Sequence, residues 1–218
     1  MAIYKEKKMI LERPLVLATR NEGKISEFKD LIADCGIEIK SLKDFGPIPS
    51  VEENGATFED NAYKKAVFTA KVLGVPALAD DSGLMVGALG GMPGVKSARY
   101  AGEDATDKKN NLKLLKAMKD VEERDASFMC TIAIAVPAGP ALIYEGRCDG
   151  HITQESMGKN GFGYDPLFYF PPLKKTFAQM KSEEKNRVSH RGKAMAELRS
   201  EFDKVLIWLR QRLAEEPF

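Results

Sequence analysis

Cysteine is scarce and scattered. Cys35, Cys130 and Cys148 are odd in number and form no Cys-x-x-Cys pair, which argues against a disulfide framework and a zinc site. A reducing, cytoplasmic home is the simplest expectation. No apolar run approaches the roughly 20 residues that a membrane-spanning helix needs. Charge of one sign is not in excess either: 33 Lys and Arg face 32 Asp and Glu, so the formal net charge is +1. No global field therefore draws the protein to nucleic acid or to a membrane. An anionic ligand must be held by local clustering. Internal repeats, low-complexity segments and the G-x-x-x-x-G-K-[ST] spacing of a Walker loop are also missing. What is there is a chain of 218 residues with ordinary globular composition, long enough to bury a good core. Residues 1–13 carry charges throughout and lack the apolar centre of a signal peptide, so they read as a short extension, with Met9 an alternative start. Residues 14–218 read as a single domain.

The chain is organised around Pro76-Ala-Leu-Ala-Asp-Asp-Ser-Gly-Leu84, an apolar strand-type run that delivers Asp80 and Asp81. Asp, Ser and Gly favour turns, so a turn is expected at Ser82 and Gly83. Consecutive strand residues point to opposite faces, so one carboxylate can face a pocket while the other braces it. Upstream, Pro14 to Thr19 is β-type and runs into Thr19-Arg-Asn-Glu-Gly-Lys24, after which Ile25, Phe28, Leu31 and Ile32 recur at helical spacing. A polar loop feeding a helix offers backbone N–H groups to an anion, and Lys24 adds a point charge. Residues 38–41 read as a second strand. Thr57 and Asp60 form a capping box before a helix whose stripe is Phe58, Ala62, Ala66, Ala70 and Leu73, with Asn61, Lys64 and Lys65 on its polar positions.

The glycines and proline between Leu84 and Arg99 indicate an ordered loop. Residues 106–118 read as a Lys-rich helix with Leu112, Leu115 and Met118 in register. Ser127 to Ala135 and Ala141 to Cys148 read as a β-hairpin, Gly158 to Pro166 as a glycine-rich loop, and Met195 to Leu213 as one long amphipathic helix.

Taken together, Thr19-Arg-Asn-Glu-Gly-Lys24, Glu53-Asn-Gly-x-Thr57, Asn61-Ala-x-x-Lys65-Ala66, Ala79-Asp-Asp-Ser-Gly83, Gly161-Phe-Gly-Tyr-Asp-Pro166 and Ser189-His-Arg191 resemble the inosine/xanthosine triphosphate pyrophosphatases. The resemblance runs from about Leu15 to Leu209, with the blocks in family order. It implies an α/β fold with an elongated central mixed β-sheet flanked by helices, two lobes with the nucleotide cleft between them, and a homodimer. It also implies hydrolysis of ITP, dITP and XTP to the monophosphate and pyrophosphate, which clears non-standard purines from the nucleotide pool.

Position by position, the resemblance assigns Thr19, Arg20, Asn21, Glu22, Gly23 and Lys24 to the triphosphate-binding loop and Lys65 to phosphate contact. Glu53 matches a magnesium ligand, and Asp81 a metal ligand and proton acceptor. Ser82, Phe162, Gly163, Tyr164, Asp165, Lys185, His190 and Arg191 match substrate and base contacts. Arg20 stands where many members have Gly, and Asn54 where many have Thr.

These residue types suit the chemistry. Mg2+ on Glu53 and Asp81, with Lys24 and Lys65 on phosphate oxygens, neutralises the charge that otherwise repels a water from phosphorus. A carboxylate of the Asp80/Asp81 pair is expected to deprotonate the attacking water. A cationic donor at O6 and an acceptor at N1–H favour hypoxanthine and xanthine over adenine, whose pattern is the reverse. Phe162 offers a flat face to the purine. Two other readings are a pyrophosphatase of pyrimidine nucleotides, whose loop type Thr19 to Lys24 does not match, and a non-catalytic nucleotide- or RNA-binding module using Lys108 to Lys116. In the latter stretch the lysines fall on the outer face of a helix, and no aromatic residues interleave for base stacking.

Overall fold

The computed structural model describes residue 11, residues 13–32 and residues 36–215. Met9 and Cys35 lie outside the described residues, as does nearly all of the expected N-terminal extension.

Among the described residues a seven-stranded mixed sheet has the order β2-β1-β3-β4-β5-β6-β7. The short, fully buried β1 (Leu15–Leu17) lies parallel to β2 (Ile39–Ser41) and to β3 (Ala77–Val86). From β3 onward the pairing is antiparallel through β4 (Asp125–Ala135), β5 (Ala141–Ile152), β6 (Phe168–Phe170) and β7 (Lys175–Thr176). The expected α/β class with a central mixed sheet is therefore present.

The alternation of β3 organises the core. Leu78 packs with Phe28, Ile132, Ile134, Leu198 and Leu206 on one side of the sheet. Ala77 and Ala79 point to the other side, where they meet Ala62, Ala66 and Ala70 of α2 (Phe58–Leu73). Small side chains on both partners let the helix axis come close to the sheet. Thr57 caps α2 in the expected reciprocal box with Asp60, and Gly74 ends it in the left-handed conformation. Farther along, Leu84, Val86 and Phe128 join Phe168 and Phe177 in a second apolar cluster.

Three expectations are corrected. The chain does not turn at Ser82 and Gly83; both are interior to β3, paired with Cys130 and Met129 of β4. Ladder hydrogen bonds to a long neighbouring strand outweigh local turn preference here. Gly83 is there for a close approach, because a Cβ would stand 2.6 Å from Gly94 O and 2.6 Å from Ser97 Oγ. Accordingly the irregular segment begins only after Val86, with 3-10 turns at Gly87–Leu89 and Gly94–Arg99. The long C-terminal helix is two helices, α5 (His190–Ser200) and α6 (Phe202–Ala214), which meet at Glu201. The bend brings Leu198 of one and Phe202, Val205 and Leu206 of the other into the same cluster.

Leu112 is the third correction. On α3 (Asp107–Ala117) it is 58% exposed, whereas Asn110, Asn111 and Leu114 are buried, so two amides share the inward face with leucine.

Candidate active site

A cleft of about 400 Å³ is lined from three directions: by the start of α1 (Glu22–Ile32), by α2 with β3, and by residues 162–165 with Lys185, His190 and Arg191. The sequence blocks are distant along the chain, and the sheet topology brings them together.

The loop before α1 holds itself in shape. Asn21 accepts the Lys24 N–H at 3.1 Å through its side-chain oxygen, the pattern of a helix N-cap, and the Asn21 N–H donates to Thr19 Oγ1 at 3.2 Å. Thr19, Arg20, Asn21 and Lys24 line the cleft. Glu22 does not; it is exposed and pairs with Lys43. Gly23 packs against the Phe162 ring, whose Cδ1 lies 2.5 Å from the place a Cβ would take.

On β3 the two carboxylates part as alternation requires. Asp81 faces α2 and the cleft, where Lys65 Nζ lies 3.0 Å from its Oδ1 and Asn61 donates to its Oδ2 at 3.1 Å. Lys65 Nζ is also 3.3 Å from Glu53 Oε2. Two carboxylates thus converge on one cation. Asn61 and Lys65 share a face through their i, i+4 spacing, and the close alanine contact beneath brings both to Asp81. Burial holds the Asp81 carboxyl above its ordinary value against the opposing pull of Lys65. Lys65 is itself largely buried, which alone would lower its pKa, but Asp81, Asp80 and Glu53 raise it.

Asp80 points the other way and braces. Its Oδ2 accepts from Ser82 Oγ at 2.7 Å, from Lys24 Nζ at 2.9 Å and from Arg191 Nη2 at 3.0 Å. Burial by itself would raise its pKa; Lys24 and Arg191 overcome that and hold it far below the carboxylate range. Asp80 is therefore a fixed anion that orients two cations, Lys24 and Arg191, at the cleft wall.

Arg191, 2% exposed, is placed by a device on β5. Gly146 has no side chain where a Cβ would come 2.0 Å from His190 O and 2.7 Å from Ala194 N, so the first turn of α5 sits directly on the strand. Ser189 caps α5 by accepting the Gly192 N–H. His190 is not a surface residue. It is buried, with its ring stacked on Phe128 at 4.6 Å, and burial together with Arg191 and Lys185 keeps it neutral, well below its ordinary pKa. Lys185, on the seven-residue helix α4 (Ser182–Val188), donates to Asp165 Oδ2 at 2.7 Å and stands 4.7 Å over the Phe162 ring. Burial raises the Asp165 carboxyl despite Lys185 and the Phe162 N–H. Tyr164 is buried and donates to Ser97 O at 2.8 Å.

The family model described as the Ham1 family matches residues 15–201. The chain belongs to the Ham1 family. Among curated relatives of this Ham1 chain, a protein of Desulfotalea psychrophila named dITP/XTP pyrophosphatase is 60% identical over 93% of this chain and 91% of its own length. One of the same name from Geobacillus kaustophilus is 48% identical over 89% of this chain and 96% of its own. The structure of a HAM1 protein from Coxiella burnetii superposes with a TM-score of 0.81 at 44% identity, covering 88% of this chain and 98% of that one. The Ham1 protein of Staphylococcus aureus gives 0.79 at 41% identity, covering 88% and 99%.

Two residues of this Ham1 chain to which the sequence assigns no role belong to the site. Glu27 on α1 accepts from Lys185 Nζ at 2.8 Å and pairs with Arg191, and those two cations hold its pKa below the ordinary value against burial. It completes the run Lys24–Asp80–Arg191–Glu27–Lys185–Asp165, in which cations and carboxylates alternate. Its one signal was position: it follows Lys24 by three residues at the edge of an apolar stripe. Asn61, at a polar position of α2 by its spacing, is 1% exposed and bonded to Asp81. Helical spacing gives a face but not what covers it.

Proposed function

We propose that this chain is a nucleoside-triphosphate pyrophosphatase acting on dITP, ITP and XTP, which it cleaves to the monophosphate and pyrophosphate. The observation that carries this reading is the convergence of Glu53 and Asp81 on one cation position, at 3.3 and 3.0 Å from Lys65 Nζ, in the wall of a cleft that also holds Lys24 and Phe162. The names of the relatives, dITP/XTP pyrophosphatase, support it.

The donor set fits magnesium. No group of three or more His, Cys, Asp or Glu that could hold a metal ion occurs among the described residues, and magnesium is held by one or two carboxylates with water and phosphate oxygens making up the rest. Glu53 and Asp81 would hold it, and it would neutralise phosphate charge at the cleft wall. The protein's own groups do the remainder. Lys24 and Lys65 meet the triphosphate oxygens, with Lys24 oriented by Asp80. Asp81, held toward the cleft by Asn61 and Lys65, takes the proton of the attacking water. An oxygen–phosphorus bond forms at the α-phosphorus, the bridge to the β-phosphate breaks, and pyrophosphate leaves.

In the same cleft Phe162 presents its ring to the purine, with Asp165, His190 and Arg191 at the polar edge. A donor at O6 and an acceptor at N1–H match a 6-oxopurine; adenine reverses both and leaves buried groups unpaired, which costs orders of magnitude in rate. The assembly in this reading is a cytoplasmic homodimer with the cleft between two lobes. Pyrophosphate release with magnesium from ITP, XTP and dITP, against ATP, GTP, dTTP and UTP, tests the assignment. Strong preference for the first three upholds it. Preference for pyrimidine nucleotides replaces the base pocket, and no release from any substrate removes the enzyme reading.

A further inference from the structure

α3 looks from its sequence like a solvated, lysine-rich helix, yet Asn110 and Asn111 turn inward and, with the exposed Asp107 in its first turn, hold a wall of the cleft. Asp107 Oδ2 accepts the Gly163 N–H at 2.7 Å, and Asn111 Nδ2 donates to Gly163 O at 3.0 Å. The two side chains are four residues apart, so they sit one turn apart on one helix face, about 5–6 Å between Cβ atoms. From there one side chain reaches the N–H and the other the C=O of a single residue. Gly163 is held at φ +61, a left-handed conformation that a residue with a Cβ adopts at a cost. The neighbouring Asn110 accepts the Ala101 N–H at 2.7 Å and donates to Ala98 O at 3.0 Å and Ser97 O at 3.3 Å. Ser97 O in turn receives the Tyr164 hydroxyl. One helix therefore fixes the Phe162–Asp165 segment at both Gly163 and Tyr164.

Stability does not explain Asn111. Its Oδ1 is buried with no hydrogen-bond partner among the described protein groups, so the amide bears a desolvation cost for one bond to Gly163. A leucine, which the helix carries at 112, 114 and 115, fits an inward face without that cost. We propose that Asp107 and Asn111 are positioning residues for base recognition, clamping the Gly163 peptide so that the Phe162 ring and the Asp165 carboxylate keep one orientation toward the substrate. The clamp rests on the reading of residues 162–165 as the base-binding segment. Both main-chain polar groups of Gly163 are already engaged by α3, so the segment presents its side chains to the base.

The test is steady-state kinetics on dITP for Asp107→Ala, Asn111→Leu and Asp107→Asn, with Phe162→Ala as the control on the underlying reading. Displacing a binding group by about 1 Å can cost up to about 100-fold. Asp107→Ala and Asn111→Leu should each raise KM about tenfold with kcat within about twofold, because Glu53, Asp81, Lys24 and Lys65 are untouched. Asp107→Asn, whose amide oxygen still accepts the Gly163 N–H, should restore KM to near the wild-type value. Asp107 is exposed, so its variants can be read even if Asn111→Leu does not fold. An unchanged KM in Asp107→Ala alongside a raised KM in Phe162→Ala overturns the clamp and leaves the base-binding segment standing. An unchanged KM in both overturns the segment and the clamp with it. A fall in kcat at constant KM also overturns the clamp.

Discussion

Replacing Glu27 with Gln removes one charge from the buried run of ions and keeps the volume. Glu27 is 12% exposed and holds Arg191 and Lys185, at 2% and 6%. Removing one member of a buried ion pair costs about 3–5 kcal/mol, because a desolvated charge is left uncompensated. Neither cation is fully orphaned: Arg191 keeps Asp80 at 3.0 Å, and Lys185 keeps Asp165 at 2.7 Å. The loss should therefore fall at the low end, about 3 kcal/mol at neutral pH. For a chain of this size that is a drop in Tm of about 6–12 °C. The pH dependence follows from the direction of the Glu27 shift. Its folded-state pKa lies below the ordinary 4.5, so the unfolded chain binds its proton more readily. The carboxylate's contribution is fully present above pH 4.5 and is lost as pH falls through the lowered value. Urea unfolding of both proteins at pH 7 and again below pH 4.5 should show the gap between them closing. A gap under about 0.5 kcal/mol at pH 7, the size of an ordinary surface substitution, would refute the reasoning, as would a gap that widens on acidification.

Asp81→Asn should abolish pyrophosphate release while leaving Tm within a few degrees; a near-normal rate removes Asp81 from the mechanism. Chelation with EDTA should stop release and added magnesium should restore it, whereas activity that survives chelation sets aside the role of Glu53 and Asp81 as metal ligands. Gly146→Ala forces a methyl group into His190 O and Ala194 N, both backbone, so α5 must move; the expected cost is about 1–3 kcal/mol by denaturant unfolding, with a raised KM as Arg191 shifts. His190→Phe keeps the stack on Phe128 and removes a group whose pKa is depressed on folding. The wild type should lose stability as pH falls below 6.5, and the variant should lose less over the same range.

The residues that line the cleft were largely legible in the sequence through the resemblance, and a few carry a local signature as well. Thr57 and Asp60 announce a helix start, Lys24 follows a polar loop into a helix, and adjacency on a strand alone separates Asp80 from Asp81. Alternation is a backbone property, so the division into a residue facing the cleft and one bracing it needs no knowledge of neighbours. Tertiary structure decided what those residues touch. Ser82 and Gly83 are turn-forming residue types, but β4 lies alongside and its ladder keeps them extended. Glu27 and Asn61 sit at polar positions of amphipathic helices, and the pattern there cannot tell solvent from a buried counter-charge: the partners, Arg191 and Asp81, are 164 and 20 residues away. Gly146 reads as an ordinary strand glycine until α5 is seated on it. The sequence by itself determined the α/β class, the capping and alternation that set each element, and the identity of the charged groups. Folding decided which opposite charges are buried together, because a Coulombic interaction depends on distance in space and on the removal of water, and neither is written in the order of residues.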